Sequence, residues 1–410
     1  MNQPTNRSPK KSSPGDYRDA PLLHIEFTGR KTVPIIPMVL LIGNYPLDRQ
    51  QSMQRFATMM LQGLTAAGIA AEIVSPMPTL GNLLGTQNFP GKWFAYVDKF
   101  VLFPRKLRAR IADRPAIVHV CDHSNAMYAA GVRNIPTVVT CHDLIAVRSA
   151  LGEELHCPVS FTGRLLQRWI LRSLRRADAV ICVSNATRDD AEQLVSRQGP
   201  SPKLETIHNG LNYPYHKVSH SVALARLKNV SGLEMPFVLH VGSNLPRKNR
   251  DGVLRIFARN KDKWNARLVF AGDALEPEQH ALAKRLEVAD RIIEIKDASD
   301  QLLEALYSLA IALLFPSLSE GFGWPIIEAQ SCGCPVVCTN IPPMPETAGD
   351  AGLFRDAADE AGLAADILRL NDSTERAAWS EKSLRNAERF STAKMISSYI
   401  EVYRNLGAPL

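Results

Sequence analysis

Glu320 and Glu328 stand eight positions apart and bracket a loop with two glycines, Gly321 and Gly323, and two aromatics, Phe322 and Trp324. A pair of carboxylates suits the acid and base of a hydrolase. It equally suits the recognition of sugar hydroxyls, which donate to carboxylate oxygens. The glycines favour the second use, because they let a ligand approach the backbone closely. A run of N–H groups leading into a helix N-terminus is also a natural seat for phosphate. On that reading Glu320 meets a sugar, Glu328 holds a ribose, and the loop forms part of a nucleotide-sugar pocket. About seventy residues earlier, Arg247 and Lys248 are adjacent in the stretch GSNLPRKN. Neighbouring cations at a strand tip neutralise a diphosphate without a metal. An isolated Arg-Lys pair is more often a solvated turn; the carboxylate loop downstream is what turns it into a phosphate candidate.

These side chains need elements to hold them. Residues 311–315 are an apolar run that reads as a buried strand, stopped by Pro316, and Pro325 suits the first turn of a helix. Gly333 ends that helix and Pro335 leads into another strand at 336–338. The same grammar recurs along the chain. Strands are predicted at 35–42, 70–74, 117–121, 137–141, 180–183 and 203–207, and again at 237–241, 268–271 and 292–295. Helices lie between them, the first capped by Ser52. Alternating strands and helices of this kind build parallel sheets, and ligands then sit at the carboxyl ends of the strands. The polar tips there are Asp122-His123-Ser124, His142-Asp143 and Ser184-Asn185. A histidine at a strand end is more often structural than chemical. His119, inside an apolar strand, reads as core.

Composition sets the outer bounds. A length of 410 residues holds two domains of ordinary size, and 45% apolar content fills their cores. The predicted divisions are a disordered tail at 1–33, an N-terminal α/β half at 34–211, a linker with some helix at 212–235, a C-terminal α/β half at 236–390, and a final helix at 391–410. Net charge of +7 suits an anionic substrate or an acidic membrane face, and equally an ordinary basic surface. The seven cysteines are an odd number set mostly in apolar strands, which argues for a reducing compartment and against a disulfide framework or a metal site. No stretch is long and apolar enough to span a bilayer. Basic residues mix with aromatics at 92–110 and 164–176; this pattern suits an anionic lipid surface as well as it suits two core helices with solvated faces. No nucleic-acid-binding motif accompanies them.

The residues together carry a resemblance. Ser319-Glu320-Gly321-Phe322-Gly323 through Glu328, with Gly333-Cys334-Pro335 after it, resembles the E-x(7)-E signature of retaining glycosyltransferase family four. Gly242-Ser243 with Arg247-Lys248-Asn249 resembles that family's phosphate loop, and His142-Asp143 resembles its N-terminal His-Asp pair. The resemblance implies a GT-B fold: α/β, two Rossmann-like domains facing each other across a cleft, with the C-terminal helix crossing back. It implies that Arg247 and Lys248 bind the donor diphosphate, and that the backbone at Gly321, Phe322 and Gly323 lies near the donor's sugar. Glu320 then contacts the transferred sugar, Glu328 the ribose, and His142 lies beside the reacting centre. Asp143 and His123 become candidates for the acceptor side. Gly43, after the first strand, stands where the family often has a richer glycine loop touching the phosphates. Asn212 replaces the family's usual Asp after Asn209-Gly210.

The expectation is therefore a retaining hexosyltransferase, mannose favoured and GDP-mannose the donor, acting on a free or lipid-linked carbohydrate in exopolysaccharide or lipopolysaccharide assembly. UDP-glucose is the close rival donor. A nucleotide-sugar epimerase or hydrolase, and a non-enzymatic sugar-nucleotide scaffold, are the competing classes. No cofactor or metal and no nucleic-acid partner is expected, and the expected location is cytoplasmic or peripheral on the inner membrane face. Replacing Glu320 is expected to abolish transfer while leaving the fold intact.

Overall fold

The computed structural model describes residues 38–48, 50–81, 89–153, 156–195 and 201–410, so the expected tail at 1–33 lies outside the described residues. Among the described residues twelve strands form two parallel six-stranded sheets. The first contains β1 (Met38–Ile42), β2 (Ala70–Val74), β3 (Ile117–Val120), β4 (Thr137–Cys141), β5 (Ala179–Cys182) and β6 (Lys203–Thr206), in the order β2-β1-β3-β4-β5-β6. The second contains β7 (Phe237–Gly242), β8 (Arg267–Gly272), β9 (Ile292–Ile295), β10 (Ala312–Phe315), β11 (Val336–Thr339) and β12 (Gly352–Arg355), in the order β12-β11-β10-β7-β8-β9. Strands such as VVCT and ALLF are mostly apolar and wholly buried, because helices cover both faces of each sheet.

Strand order decides where ligands can sit. In each sheet the chain builds outward from its first strand in both directions, which opens a crevice at the strands' carboxyl edge. In the first sheet that crevice lies between β1 and β3, in the second between β7 and β10. The loops after β7 and β10 are those carrying Arg247-Lys248 and Glu320.

The last helix, Thr392–Asn405, returns to the first sheet. Its Met395, Ile396, Tyr399, Val402 and Tyr403 share one core with Val39, Leu41 and Phe56. Tyr403 and Tyr399 also close a buried polar network. The Tyr403 hydroxyl is 2.7 Å from His119 Nδ1, while His119 Nε2 and the Tyr399 hydroxyl lie 2.8 and 2.9 Å from the Thr140 hydroxyl. Burial pushes His119 down to about 3, so the ring is neutral and structural. Two facing parallel-sheet halves with a returning terminal helix make this the GT-B fold.

Some local expectations change. The first helix spans Gln51–Ala66, so Ser52 sits inside its first turn; Gln50 occupies the cap without a side-chain bond. A 3₁₀ turn at Pro46–Asp48 brings the chain round before Ser52 is reached. Residues 212–235 are more than a connector. Besides the expected helix, His220–Leu227, they contribute Tyr215, Ala223, Leu227 and Leu233 to the second core. The segment 123–131 is a 3₁₀ helix, started by Asp122 accepting from the Ser124 N–H.

Candidate active site

The two loops of the second sheet are tied together by charge. Arg247 donates to Glu320 Oε2 at 2.6 Å and to the Ser319 carbonyl at 2.9 Å; Lys248 donates to Glu320 Oε1 at 2.5 Å. The backbone joins them as well, with the Leu318 N–H donating to the Arg247 carbonyl at 2.7 Å. Asn249 takes a left-handed conformation and caps the following helix through Gly252 N, while its amide reaches the Pro316 carbonyl. That bend leaves Arg247 and Lys248 at the strand tip. The Lys248 ammonium lies 5.0 Å from the centre of the Phe315 ring. Burial opposes ionisation of Glu320, but Lys248 and Arg247 override it and hold the carboxyl down to about 2. Burial and the neighbouring Arg247 lower Lys248, against the pull of Glu320.

The loop from Glu320 to Gly323 is fixed by its carbonyls. Gly321 O accepts from the Ser184 hydroxyl at 2.7 Å and from Thr187 at 3.2 Å, and Phe322 O accepts from Thr347 at 2.7 Å. Its N–H groups are a different matter. None of those of Glu320, Gly321, Phe322 or Gly323 has a protein partner among the described residues. Gly323 adopts φ +90° at the cap of the helix Trp324–Ser331, a conformation that suits glycine. The loop therefore offers unpaired donors beside two cations, at a helix N-terminus. Phe322 packs with Val183, Ile327 and Phe390, and Trp324 donates its indole N–H to the Gly210 carbonyl at 2.9 Å. Both aromatics support the loop from beneath.

Glu328 is buried. Tyr307 donates to Oε2 at 3.0 Å and Asn212 to Oε1 at 3.2 Å. Asn212 thus serves as a neutral donor to this carboxyl. Burial pushes Glu328 up to about 7, opposed by Tyr307, Arg55 and Asn212. Arg55, from the first half, reaches across to Asp300 at 2.6 Å.

The first sheet brings its tips to the same place. A Cβ on Gly321 would run into the His142 carbonyl and the Asp143 Cβ, so the two halves meet there without a side chain between them. His142 Nε2 lies 2.9 Å from the Cys121 carbonyl. A carbonyl only accepts, so Nε2 carries the proton and Nδ1 keeps its lone pair. Burial lowers the ring's pKa, which keeps it neutral, and Phe56 packs edge-on against it at 4.8 Å. Asp143 accepts from Ile145 N at 3.1 Å. His123 Nδ1 lies 3.2 Å from Asp122; burial works against its charge, but Asp122 raises its pKa on balance. Gly43 sits tightly at the end of β1. Its N–H is engaged by the Val74 carbonyl at 2.9 Å, and a Cβ there would meet Ser75. A phosphate would find no free amide at Gly43.

Some contributors escaped the sequence. Asn44 donates to Gln50 and to buried Asp122, both at 2.5 Å, tying the β1 and β3 tips together. Asp122 also accepts from the Ser124 N–H and hydroxyl. Glu346, on the short helix Met344–Ala348, accepts from the Asn185 N–H at 2.8 Å and lies 2.5 Å from His208, bridging the halves. The polar tip after β3 was a visible signal for Asp122. Nothing local marks Glu346, which lies far along the chain from its partners. Among the described residues no three of His, Cys, Asp and Glu gather closely enough to hold a metal ion.

The fold and this junction of loops define a class. Residues 225–385 match the family described as "Glycosyl transferases group 1", and residues 53–213 match "Glycosyltransferase Family 4". The chain belongs to this family of glycosyltransferases. Among curated relatives, the O-antigen chain mannosyltransferase B of Escherichia coli is 30% identical over 59% of this chain and 65% of its own length. The O-antigen chain mannosyltransferase RfbU of Salmonella typhimurium is 27% identical over 54% of this chain and 57% of its own. The chain thus aligns with somewhat less than two thirds of these relatives. Among solved structures, sucrose-phosphate synthase from Thermosynechococcus elongatus superposes with a TM-score of 0.72 at 19% identity, covering 91% of this chain and all of the other. Anabaena HepE, solved with UDP and glucose, gives 0.68 at 18%, covering 89% and 98%. At such identities these two report on fold.

Proposed function

We propose that this protein is a retaining hexosyltransferase that moves mannose from GDP-mannose to a carbohydrate acceptor, carried on a lipid, in polysaccharide assembly. The observation that carries the reading is the Arg247–Glu320–Lys248 cluster beside a loop of unpaired N–H groups. In it, a diphosphate finds two cations and several backbone donors, and needs no metal to balance its charge. The choice of mannose and of polysaccharide rests on the two O-antigen mannosyltransferases among the relatives.

In the proposed reaction the bond from the sugar's anomeric carbon to the diphosphate oxygen breaks. The acceptor hydroxyl attacks from the same face, and its proton passes to the departing phosphate oxygen. Negative charge grows on that oxygen, and Arg247, Lys248 and the loop amides are the groups that stabilise it. Neither glutamate serves as a nucleophile: Glu320 is engaged by both cations, and Glu328 lies behind the loop. Glu320 orients the sugar hydroxyls, Glu328 the ribose, and the neutral His142 accepts a sugar hydroxyl at Nδ1. The acceptor approaches from the Asp143 and His123 side. The reaction is placed in the cytoplasm, with the protein peripheral on the membrane; all seven cysteines are free, which suits a reducing compartment.

A thermal-shift panel of GDP, UDP and ADP tests the donor, because a ligand that binds the native state raises its melting temperature. GDP is expected to give the largest shift. A larger shift with UDP would move the donor to UDP-glucose. An NMR time course with GDP-mannose and acceptor then reads the product's anomeric configuration; turnover of the donor without acceptor would replace transfer by hydrolysis or epimerisation.

A further inference from the structure

The first half carries an outer face that the reaction does not use. On the helix Phe161–Leu174, the positions Phe161, Leu165 and Trp169 are 75%, 52% and 44% exposed. They recur every four residues, so they line one side of the helix, while Ile170, Leu171 and Leu174 on the other side fill the core. Beside them stand Trp93, Val101 and Leu102, also exposed. The two groups are continuous through edge-on and tilted rings: Trp93 to Tyr96 at 5.9 Å, Tyr96 to Phe100 at 5.6 Å and Phe100 to Trp169 at 5.3 Å. Large side chains gathered in this way on a folded surface mark a place of contact.

Charge says what the contact is. Arg164, Arg168 and Arg172 form an exposed stripe alongside Phe161, Leu165 and Trp169; Arg105, Lys106 and Arg108 do the same on the helix Phe103–Ala112. Neither helix contains a single Asp or Glu. Among the described residues none of these six cations is in an ion pair. An ordinary solvated helix mixes charge signs. Here one sign surrounds an apolar and indole-bearing stripe, the composition that seats in the boundary between anionic headgroups and acyl chains.

The face also lies at the working end of the molecule. Helices that cover a parallel sheet run against the strands, so the Phe161 end lies at the carboxyl edge of the sheet, with His142. Cys157, just ahead of that helix, is close enough to Asp143 and Arg247 for their charges to act on its thiol, which burial raises.

We infer that this face docks on an anionic lipid bilayer and brings the junction of the two halves to the membrane surface, where a lipid-carried acceptor can enter. The inference deepens the transferase reading and, as to the acceptor, rests on it. The test is flotation of the purified full chain with vesicles of phosphatidylcholine alone or with about a third phosphatidylglycerol, at low and high salt. Binding is expected only with the anionic vesicles, weakening as salt rises. The triple variant Arg164→Gln, Arg168→Gln, Arg172→Gln is expected to bind about a hundredfold more weakly. The pair Phe161→Ser, Trp169→Ser is expected to float with the anionic vesicles markedly less than the wild type. Both variants change exposed positions, so the GDP-induced thermal shift should be unaltered and reports that they are folded. Equal flotation with neutral vesicles, no flotation, or a triple variant that binds like the wild type would overturn the proposal. So would tight binding of a single-stranded oligonucleotide without vesicle binding, which would assign the face to nucleic acid. If flotation succeeds but no nucleotide shifts the melting temperature, the docking face stands and the transferase reading falls.

Discussion

Gly321 presses its bare Cα against the carbonyl of His142, joining a loop of the second sheet to a strand tip of the first. No methyl group fits there. The φ of Gly321 lies outside the left-handed region, so the backbone would tolerate alanine if the neighbouring half allowed it. Gly321→Ala is therefore expected to hold the halves apart while leaving each one folded. Nucleotide binding should survive and turnover should fall by roughly a hundredfold, the usual penalty for a small misplacement of reacting groups. Steady-state kinetics beside the GDP thermal shift would show this, and an unchanged kcat would refute it.

The Glu320 carboxylate is the counter-ion of two cations, which alters the outcome expected of its removal. Glu320→Gln leaves Lys248 and Arg247 facing each other in a buried setting, and breaking one partner of such a cluster costs about 3–5 kcal/mol. Loss of activity should come with a lower melting temperature. A nucleoside diphosphate supplies the missing anion, so GDP should stabilise this variant by more degrees than it does the wild type. Equal shifts would argue against a diphosphate at Arg247 and Lys248. The depressed pKa of Glu320 makes the same point with pH. Its contribution to stability is complete above the unfolded value near 4.5 and is lost as pH falls toward about 2.

Glu328 has the opposite sign. Its folded pKa, raised by burial to about 7, lies above the unfolded value of 4.5. Between those values the folded state holds a proton that the unfolded chain has released. Its contribution is therefore fully present below about 4.5 and lost as pH rises through about 7. Glu328→Gln should flatten the fall in melting temperature between pH 5 and 8. A slope identical to that of the wild type would contradict this ionisation.

Tyr403 secures the returning helix through His119. Tyr403→Phe leaves one ring nitrogen of a fully buried histidine without its partner, at a cost of about 1–3 kcal/mol. Denaturant unfolding should show a lower midpoint with an unchanged slope. The KM for the donor should not move, because this network lies away from the second sheet's loops.

Much of this architecture is written in local pattern. Strands such as β4 and β10 are apolar runs ended by polar residues or proline, and helices such as Trp324–Ser331 open at Pro325 and end beside Gly333. Such signals act over a few residues, so they survive in the sequence. The start at Ser52 and the packing of 212–235 were not legible for the same reason. Each depends on what the segment meets elsewhere, as Tyr215 and Leu233 do on joining the second core.

Sequence alone determined that this chain makes two parallel-sheet halves, and that Arg247-Lys248 and the Glu320 loop follow strands of the second half. It also placed His142-Asp143 at a strand tip, because a strand's end is visible in its residues. Only the tertiary structure decided what these groups touch. Strand order sets β7 beside β10 and so lays Glu320 on Lys248 and Arg247. Closure of the halves sets Gly321 on His142, hands the Gly321 carbonyl to Ser184, and couples Glu346 to His208. Those contacts join residues far apart in the chain, and their energies depend on burial, which no short window of sequence contains.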